Sequence, residues 1–239
     1  MDLGVLTDDT WRTLLIAIDV VFLLTVVGWV AGMVAAQRSP LVLGDEPVSA
    51  RALRLHSLTF VNASLIAPTL AATLVLALAA PAREGPGVLD VLGLVFLAVY
   101  VTINTGAYTS QYAVLPALIA APPLDDGGTV PPDEVTDLAL RRAAARRWHF
   151  EAPRSLPYAM AMLGYACFGL ATFALAPGLT AMGGVWRWAG IALLVSGASS
   201  VLGYIGFVAR RRGLEQASVV GGVIALLVGG LILAAALTA

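Results

Sequence analysis

Six stretches of the chain are apolar over a length that crosses a bilayer, which for a helix takes about 20 residues. They lie at 12–36, 57–80, 89–119, 155–176, 185–208 and 217–238. The third stretch is too long for a perpendicular span, so we expect it to tilt or to project beyond the membrane, with Pro116 marking where it bends or ends. The pattern predicts an all-α fold: a polytopic integral membrane protein whose six-transmembrane-helix bundle forms a single domain over 1–239.

Composition places the chain in the same class. Hydrophobic residues make up 59% of the 239 residues and charged residues only 12%, and the mean hydropathy is +0.87. A soluble domain of this size is far more polar. All 14 basic residues are arginine, which excludes chemistry that needs a lysine, such as a retinal-type Schiff base.

The distribution of arginine predicts the orientation of the bundle. Eleven arginines lie in or beside the connections after the first, third and fifth predicted helices, and only three lie towards the other end. The positive-inside rule then puts the arginine-rich connections in the cytoplasm and both termini outside. Trp11, Trp186 and Trp188 would lie at the outer surface, where interfacial aromatic residues are expected.

The longest connection predicts a helix of its own between the third and fourth membrane helices. Pro131 and Pro132 come before the acids Asp133, Glu134 and Asp137, and arginines follow, which is the charge order that a helix dipole favours. We predict an amphipathic cytoplasmic helix over 133–149. Its basic residues would bind an anionic phospholipid or a partner; the alternative is that they only fix the topology. They are Arg141, Arg142, Arg146 and Arg147.

The third predicted helix carries the most polar face that still lies inside the membrane. Tyr100, Asn104, Tyr108 and Gln111 fall within about 80° of one another on a helix that turns about 100° per residue. Lipid tails offer no hydrogen bonds, so this face must contact other helices or a cavity. For Tyr108 and Gln111, which lie near the inner surface, an ordinary interfacial belt is the alternative interpretation.

Asp19 is the only acidic residue well inside a predicted span, about 12 Å below Trp11. An ionised carboxylate at that depth costs about 3 kcal/mol or more, so we expect the group to be protonated, hydrogen-bonded or in contact with water. Depth permits a mid-membrane cluster in which Asp19 is joined by other polar residues. Such a cluster would be a proton-titrating or solute-binding site. The alternative is that its residues only form interhelical hydrogen bonds that stabilise the bundle. Its further members would be Asn62, Tyr100, Asn104 and Ser200.

Glycine recurs along the predicted helices at spacings that favour close helix packing. The positions are Gly28, Gly32, Gly164, Gly203, Gly206 and the pairs at 221–222 and 229–230. Pro68 lies inside the second predicted helix, where its missing N–H frees a backbone carbonyl.

The residues that catalysis would need are scarce. His56 and His149 both fall at the predicted inner edge and could meet Glu151, but two histidines are few for a metal or haem site, and interfacial histidines beside arginine are the alternative. The chain has no His-Glu-x-x-His motif and no phosphate-binding glycine-rich loop. We therefore predict no enzymatic activity, no catalytic residue, no metal and no cofactor.

Two segments carry a resemblance to a known group of proteins. The run from Glu151 to Tyr165, continued through Cys167 to Pro177, and the earlier Tyr108-Thr-Ser-Gln-Tyr112 are similar to segments of small bacterial six-transmembrane membrane proteins of unknown function. The resemblance implies a similar multi-pass bundle in a bacterial cytoplasmic (inner) membrane, and it carries over no catalytic residue.

Together these observations predict a small proton-linked transporter or solute-binding membrane protein, with a polar pocket between the first, second, third and fifth membrane helices. The alternative is a non-catalytic accessory or sensor subunit whose arginine-rich loop binds a partner or anionic lipid. Expected partners are the lipid bilayer and either further copies of the chain or a larger membrane complex, but no nucleic acid. The proton-titrating or substrate-binding residues would be Asp19, Asn62, Tyr100, Asn104, Tyr108, Gln111 and Ser200.

Overall fold

The computed structural model describes residues 8–43, 48–80, 87–120, 132–152 and 154–238, with the backbone alone over 132–138. Every regular element in these ranges is a helix. In chain order the helices are α1 (Asp8–Gln37), α2 (Ala50–Leu78), α3 (Val88–Ala113), α4 (Leu115–Ile119), α5 (Pro132–Trp148), α6 (Leu156–Ala181), α7 (Gly184–Val208), α8 (Arg212–Glu215) and α9 (Ala217–Thr238).

Six helical stretches in the described ranges are long and apolar enough to cross a membrane: α1, α2, α3 with α4, α6, α7, and α8 with α9. The predicted all-helical chain with six membrane-compatible helices is thereby confirmed. Large apolar side chains also cover the outside of the bundle, where Leu24 is 65% exposed and Val219 67% exposed. An outer surface of this kind suits lipid and not water.

The third predicted stretch is interrupted where its proline predicts an end. Helix α3 ends at Ala113, and Pro116 lies in the first turn of α4. A proline tolerates this position because the N–H it lacks would have no helical acceptor there. The extra length therefore forms a separate short helix.

The membrane-compatible helices pack in chain order as a closed ring. Each contacts the next one along the chain (α1, α2, α3, α6, α7, α9), and α9 returns to contact α1. A polar residue buried on one of these helices therefore lies mainly against its two ring neighbours, and this order decides which predicted site residues meet.

The first and last helices are joined at one end of the ring, which we call the Trp11 end. The Trp11 indole donates a hydrogen bond to the carbonyl of Leu76 (2.7 Å) and its ring lies 6.4 Å from that of Trp186. The Arg12 guanidinium donates to the carbonyl of Leu237 (2.7 Å), one of the terminal carbonyls of α9. A cation at a helix C-terminus is stabilised by the helix dipole.

Helix α5 lies at the opposite end, which we call the α5 end. Its bounds, Pro132–Trp148, overlap the predicted helix at 133–149, and the side chains of Asp133, Glu134 and Asp137 lie outside the described residues. Ala145 of α5 is buried in a small cluster with Leu115 of α4, Ala52 of α2 and Leu41. The second half of α5 is therefore packed onto the bundle.

Glycine lets these helices approach closely at most of the predicted positions. A β-carbon would come within 3.0 Å of a neighbouring helix at Gly28, Gly32, Gly164, Gly203, Gly206, Gly221 and Gly229. Gly222 and Gly230 would meet nothing within 4 Å, so the packing prediction is wrong for the second residue of each pair. Adjacent helical residues point about 100° apart, and only one of each pair can face a neighbour.

The carbonyl freed by Pro68 receives a bond from the neighbouring helix. In α2 the amide that would bond to the Ser64 carbonyl belongs to residue 68, and proline has none. The Thr105 hydroxyl of α3 donates to that carbonyl instead, at 3.4 Å. This bond links α2 to α3 at a point where an orphaned carbonyl would otherwise remain.

Candidate functional site

Asp19 lies on the inward face of α1. The buried residues of this helix, among them Leu15, Asp19, Phe22 and Val26, recur every three or four positions, which is the spacing of one helix face. The Asp19 side chain is 0% exposed. The sequence thus places a carboxyl group inside an apolar core.

The neighbours of Asp19 come from α2 and α9. Thr73 of α2 and the Leu233 backbone of α9 lie beside the carboxyl, but neither reaches hydrogen-bond geometry with it. On α9, a β-carbon at Gly229 would lie 3.2 Å from Asp19 Oδ1. Both carboxyl oxygens and the Thr73 hydroxyl have no hydrogen-bond partner among the described residues. Three polar atoms therefore face one another at the junction of three helices with their bonding capacity unused.

Such an arrangement favours an acid that carries its own proton. A carboxylate excluded from water and without a donor is destabilised, whereas a carboxylic acid needs far less solvation. A protonated Asp19 also becomes a donor, and the hydroxyl of the neighbouring Thr73 is able to accept as well as donate. The chemistry available here is uptake and release of a proton.

Asn104 lies on a different interface, between α3 and α6. It is 0% exposed, and its Nδ2 lies so close to Gly164 that a β-carbon there would approach to 1.9 Å. Nδ2 donates to the Tyr100 carbonyl one turn earlier (3.5 Å), while Oδ1 has no partner among the described residues. The Tyr100 ring packs 5.0 Å from that of Phe168 on α6.

Asn62 and Ser200 both bond within their own helices. Asn62 Nδ2 donates to the Leu58 carbonyl (3.1 Å) and the half-exposed side chain lies against Gly28 of α1. Ser200 donates to the Ser196 carbonyl (2.9 Å) and lies against Gly221 of α9. The residues of the predicted mid-membrane cluster are thus divided among several interfaces: Asp19 on α1–α2–α9, Asn62 on α1–α2, Tyr100 and Asn104 on α3–α6, and Ser200 on α7–α9.

Tyr108 and Gln111 belong to a separate cluster near the α5 end. The Gln111 amide is 0% exposed and bonds the chain just after α5 on both sides: Nε2 donates to the Trp148 carbonyl (2.8 Å), and Oε1 accepts from the Phe150 amide (2.9 Å). The Tyr108 hydroxyl is hydrogen-bonded to that of Tyr165 on α6. Gln111 therefore links the last residue of α5 and the turn after it to α3.

The two histidines meet in this region. The imidazole rings of His56 and His149 lie 5.4 Å apart, and the Nε2 of each is buried without a hydrogen-bond partner among the described residues. Burial lowers the pKa of His149, and the charge of nearby Glu151 partly offsets that effect. Both His56 and Glu151 line a cavity of about 160 Å³. No group of three or more metal-ligating side chains occurs in the described part of the chain.

The arginine cluster of α5 is largely at the surface. Arg141, Arg146 and Arg147 are exposed and Arg142 is half-buried. This exposure is compatible with contact to a lipid surface or to a partner protein.

Sequence reasoning missed the residues that lie beside Asp19 and Glu215. Thr73 gave no signal because a single threonine in an apolar span is common and often bonds its own helix. A second missed contact is the hydrogen bond from the Tyr158 hydroxyl to Glu215 of α8. Glu215 follows three arginines in sequence and reads as part of a charged surface turn.

Comparison with protein-family models, with curated proteins and with solved structures found no match. The similarity to small six-transmembrane bacterial proteins therefore stays a prediction.

Proposed function

We propose that this protein is a small proton-linked transporter of a bacterial cytoplasmic membrane, with Asp19 as the group that takes up and releases the proton. The observation that supports this most directly is the Asp19 carboxyl itself, which is fully buried at a junction of three helices and has no hydrogen bond to any described residue. Acids that serve only to hold a bundle together are paired with a donor. An unpaired acid is suited to changing its protonation state.

Exchange of the proton requires the helices around Asp19 to separate. The α1–α9 interface is less extensive than those between successive helices of the ring, and on α9 Gly229 and the Leu233 backbone lie beside the carboxyl. Separation there would admit water and allow Asp19 to ionise. Closure would be favoured only for the neutral acid, because enclosing a bare carboxylate costs free energy. Protonation and helix movement are then coupled, as transport requires.

The solute contact in this proposal lies on the α3–α6 interface. Asn104 Oδ1 is a buried acceptor without a partner among the described residues, and Tyr100 lies one turn away on the same helix. Asn62 and Ser200 already use their polar groups on carbonyls of their own helices. They are packing residues in this mechanism.

The test is proton exchange at Asp19 in the purified protein reconstituted in liposomes. Infrared difference spectra recorded across a pH step should show the carbonyl stretch of a buried carboxylic acid, and Asp19→Asn should remove it. Asp9→Asn is the matched control, since Asp9 is an exposed acid of the same helix. Persistence of the band in folded Asp19→Asn, or its absence from the unaltered protein at every pH, would contradict the proposal.

The rival function is a non-catalytic accessory or sensor subunit. The observation that favours it is the Gln111 contact, through which a partner or lipid bound to α5 would act on α3. Under that reading Arg141→Gln and Arg142→Gln impair function in cells while Asp19→Asn does not. The opposite pattern supports the transporter.

A further inference from the structure

A groove of about 650 Å³ runs along the outside of the bundle, between α2, α3 and α6. Its walls include Pro68 of α2, Val101, Gly106 and Thr109 of α3, and Met160 of α6, and Trp148 lines it at the α5 end. From Val101 to Val114 the lining extends about 20 Å along the helix axis, which exceeds the depth of one leaflet of a hydrocarbon core about 30 Å thick.

The hydroxyl groups along the groove are not available to a solute. The hydroxyls that line it are engaged within the protein: Thr102 donates to the Ala98 carbonyl, Thr105 to that of Ser64, and Ser110 to that of Ala107, while Thr109 bonds to the Tyr112 hydroxyl. A surface that satisfies its own hydrogen bonds and lies along a membrane span accepts hydrocarbon.

Gly106 keeps the groove open. At Gly93 and Gly164, glycine makes room for a neighbouring helix, because a β-carbon there would come within 2.5 Å of it. At Gly106 a β-carbon would meet only the terminal methyl of Met160, at 3.9 Å. The missing side chain at this position therefore leaves empty volume in the groove and is not explained by helix packing.

At the Trp148 end of the groove, the neighbouring residue in the sequence is an arginine. Trp148 closes α5, and the preceding residue, Arg147, is exposed and belongs to the basic last turn of that helix. Tryptophan and arginine at the end of an apolar surface are typical of the membrane interface, where arginine attracts anionic headgroups.

We propose that this groove binds one acyl chain of an anionic phospholipid, whose headgroup phosphate contacts Arg147. The groove and the surroundings of Asp19 share no residue, so lipid retention is measured separately from proton exchange. Its occupant is a lipid from the surrounding bilayer, bound in a defined place and not merely as part of the annulus.

The experiment is native mass spectrometry of the detergent-solubilised full chain, with phosphatidylglycerol and phosphatidylcholine of equal chain length offered in competition. We expect the unaltered protein to retain phosphatidylglycerol in preference. Gly106→Leu fills the groove and should abolish this retention. Gly222→Leu, whose side chain also enters open space, should retain it. Arg147→Gln should lower the preference for phosphatidylglycerol about fivefold.

If the unaltered protein retains the two lipids equally, that result alone overturns the proposal, and no variant is needed. Unchanged retention by a folded Gly106→Leu protein, or equal loss in Gly222→Leu, would overturn the placement in this groove. Thermal unfolding of each variant, followed by circular dichroism, identifies any that fail to fold.

Discussion

Gly229 of α9 lies directly against the carboxyl of Asp19 on α1. A β-carbon at Gly229 would stand 3.2 Å from Asp19 Oδ1 and 2.7 Å from Cε1 of Phe22, a ring that is itself buried. Because Gly229 has no side chain, the backbone of α9 can lie directly against the Asp19 carboxyl.

Replacing this glycine should loosen the bundle. Gly229→Ala would push α9 away from α1, and overpacking of this kind costs about 1–3 kcal/mol. The measurement is thermal unfolding in detergent. Gly230→Ala is the control, because a β-carbon there meets nothing within 4 Å, so its unfolding temperature should stay the same or rise slightly. Equal loss of stability in both variants would count against the close contact at Asp19.

Gln111 should be needed to hold the segment after α5 in place. Gln111→Leu leaves the Trp148 carbonyl and the Phe150 amide without their buried partner, at a cost of about 1–3 kcal/mol for each group. Hydrogen exchange at the Phe150 amide should become faster than in the unaltered protein. Gln216→Leu, which changes an exposed glutamine, should leave that amide protected. Unaltered exchange in Gln111→Leu would mean that other contacts fix the segment.

The buried histidine pair should make stability depend on pH. Burial lowers the pKa of His149 below its ordinary value of 6.5, so the unfolded chain takes up this proton before the folded chain does. The contribution of His149 to the free energy of unfolding is therefore fully present above pH 6.5. It is lost as the pH falls from there through the lower pKa of the folded state. The His56 imidazole packs against His149, and the charge of Glu151 acts on it.

Unfolding temperatures measured between neutral and mildly acidic pH check this dependence. His149→Gln should give a flatter profile than the unaltered protein. Glu151→Gln should steepen the profile, because Glu151 raises the pKa of His149 and its removal lowers that pKa further. A profile that is the same in His149→Gln would assign the pH dependence to another group.

The link between Thr105 and the Ser64 carbonyl can be measured as a coupling energy. Thr105→Val removes the donor, and Pro68→Ala supplies an amide that satisfies the same carbonyl from within α2. In a double-mutant cycle, Thr105→Val should therefore destabilise the Pro68→Ala background less than the unaltered protein. The expected difference is about 0.6 kcal/mol, the average for hydrogen bonds between membrane helices. Additive effects would show that the bond contributes nothing.

Hydrophobicity along the chain was sufficient to predict the six helices, since spans of this length need no knowledge of their neighbours. It also identified Asp19, because a lone acid stands out in an apolar run. What it could not supply was the rotation of each helix and the order of packing around the ring. The sequence alone permitted Asp19 to meet Tyr100, whereas in the ring α1 packs against α2 and α9. Thr73 and Gly229 could be recognised as its neighbours only from that order.

The contact between the two histidines was also not predictable from the sequence. His56 and His149 lie 93 positions apart in the sequence, and their contact depends on the turn after α5 that Gln111 holds. A glutamine side chain that hydrogen-bonds backbone groups far away in the sequence produces no repeating pattern of residues from which the contact could be predicted. Its position on the polar face of α3 was predictable, but its partners were not.

The contact between Asp19 and α9 makes concealment of the acid depend on two parts of the sequence that lie far apart. Helix α9 follows α1 in the chain, so α1 is synthesised before the helix that covers its carboxyl. A chain truncated between α1 and α9 should therefore expose a polar group that the intact bundle encloses, and membrane quality control would have a feature by which to recognise it.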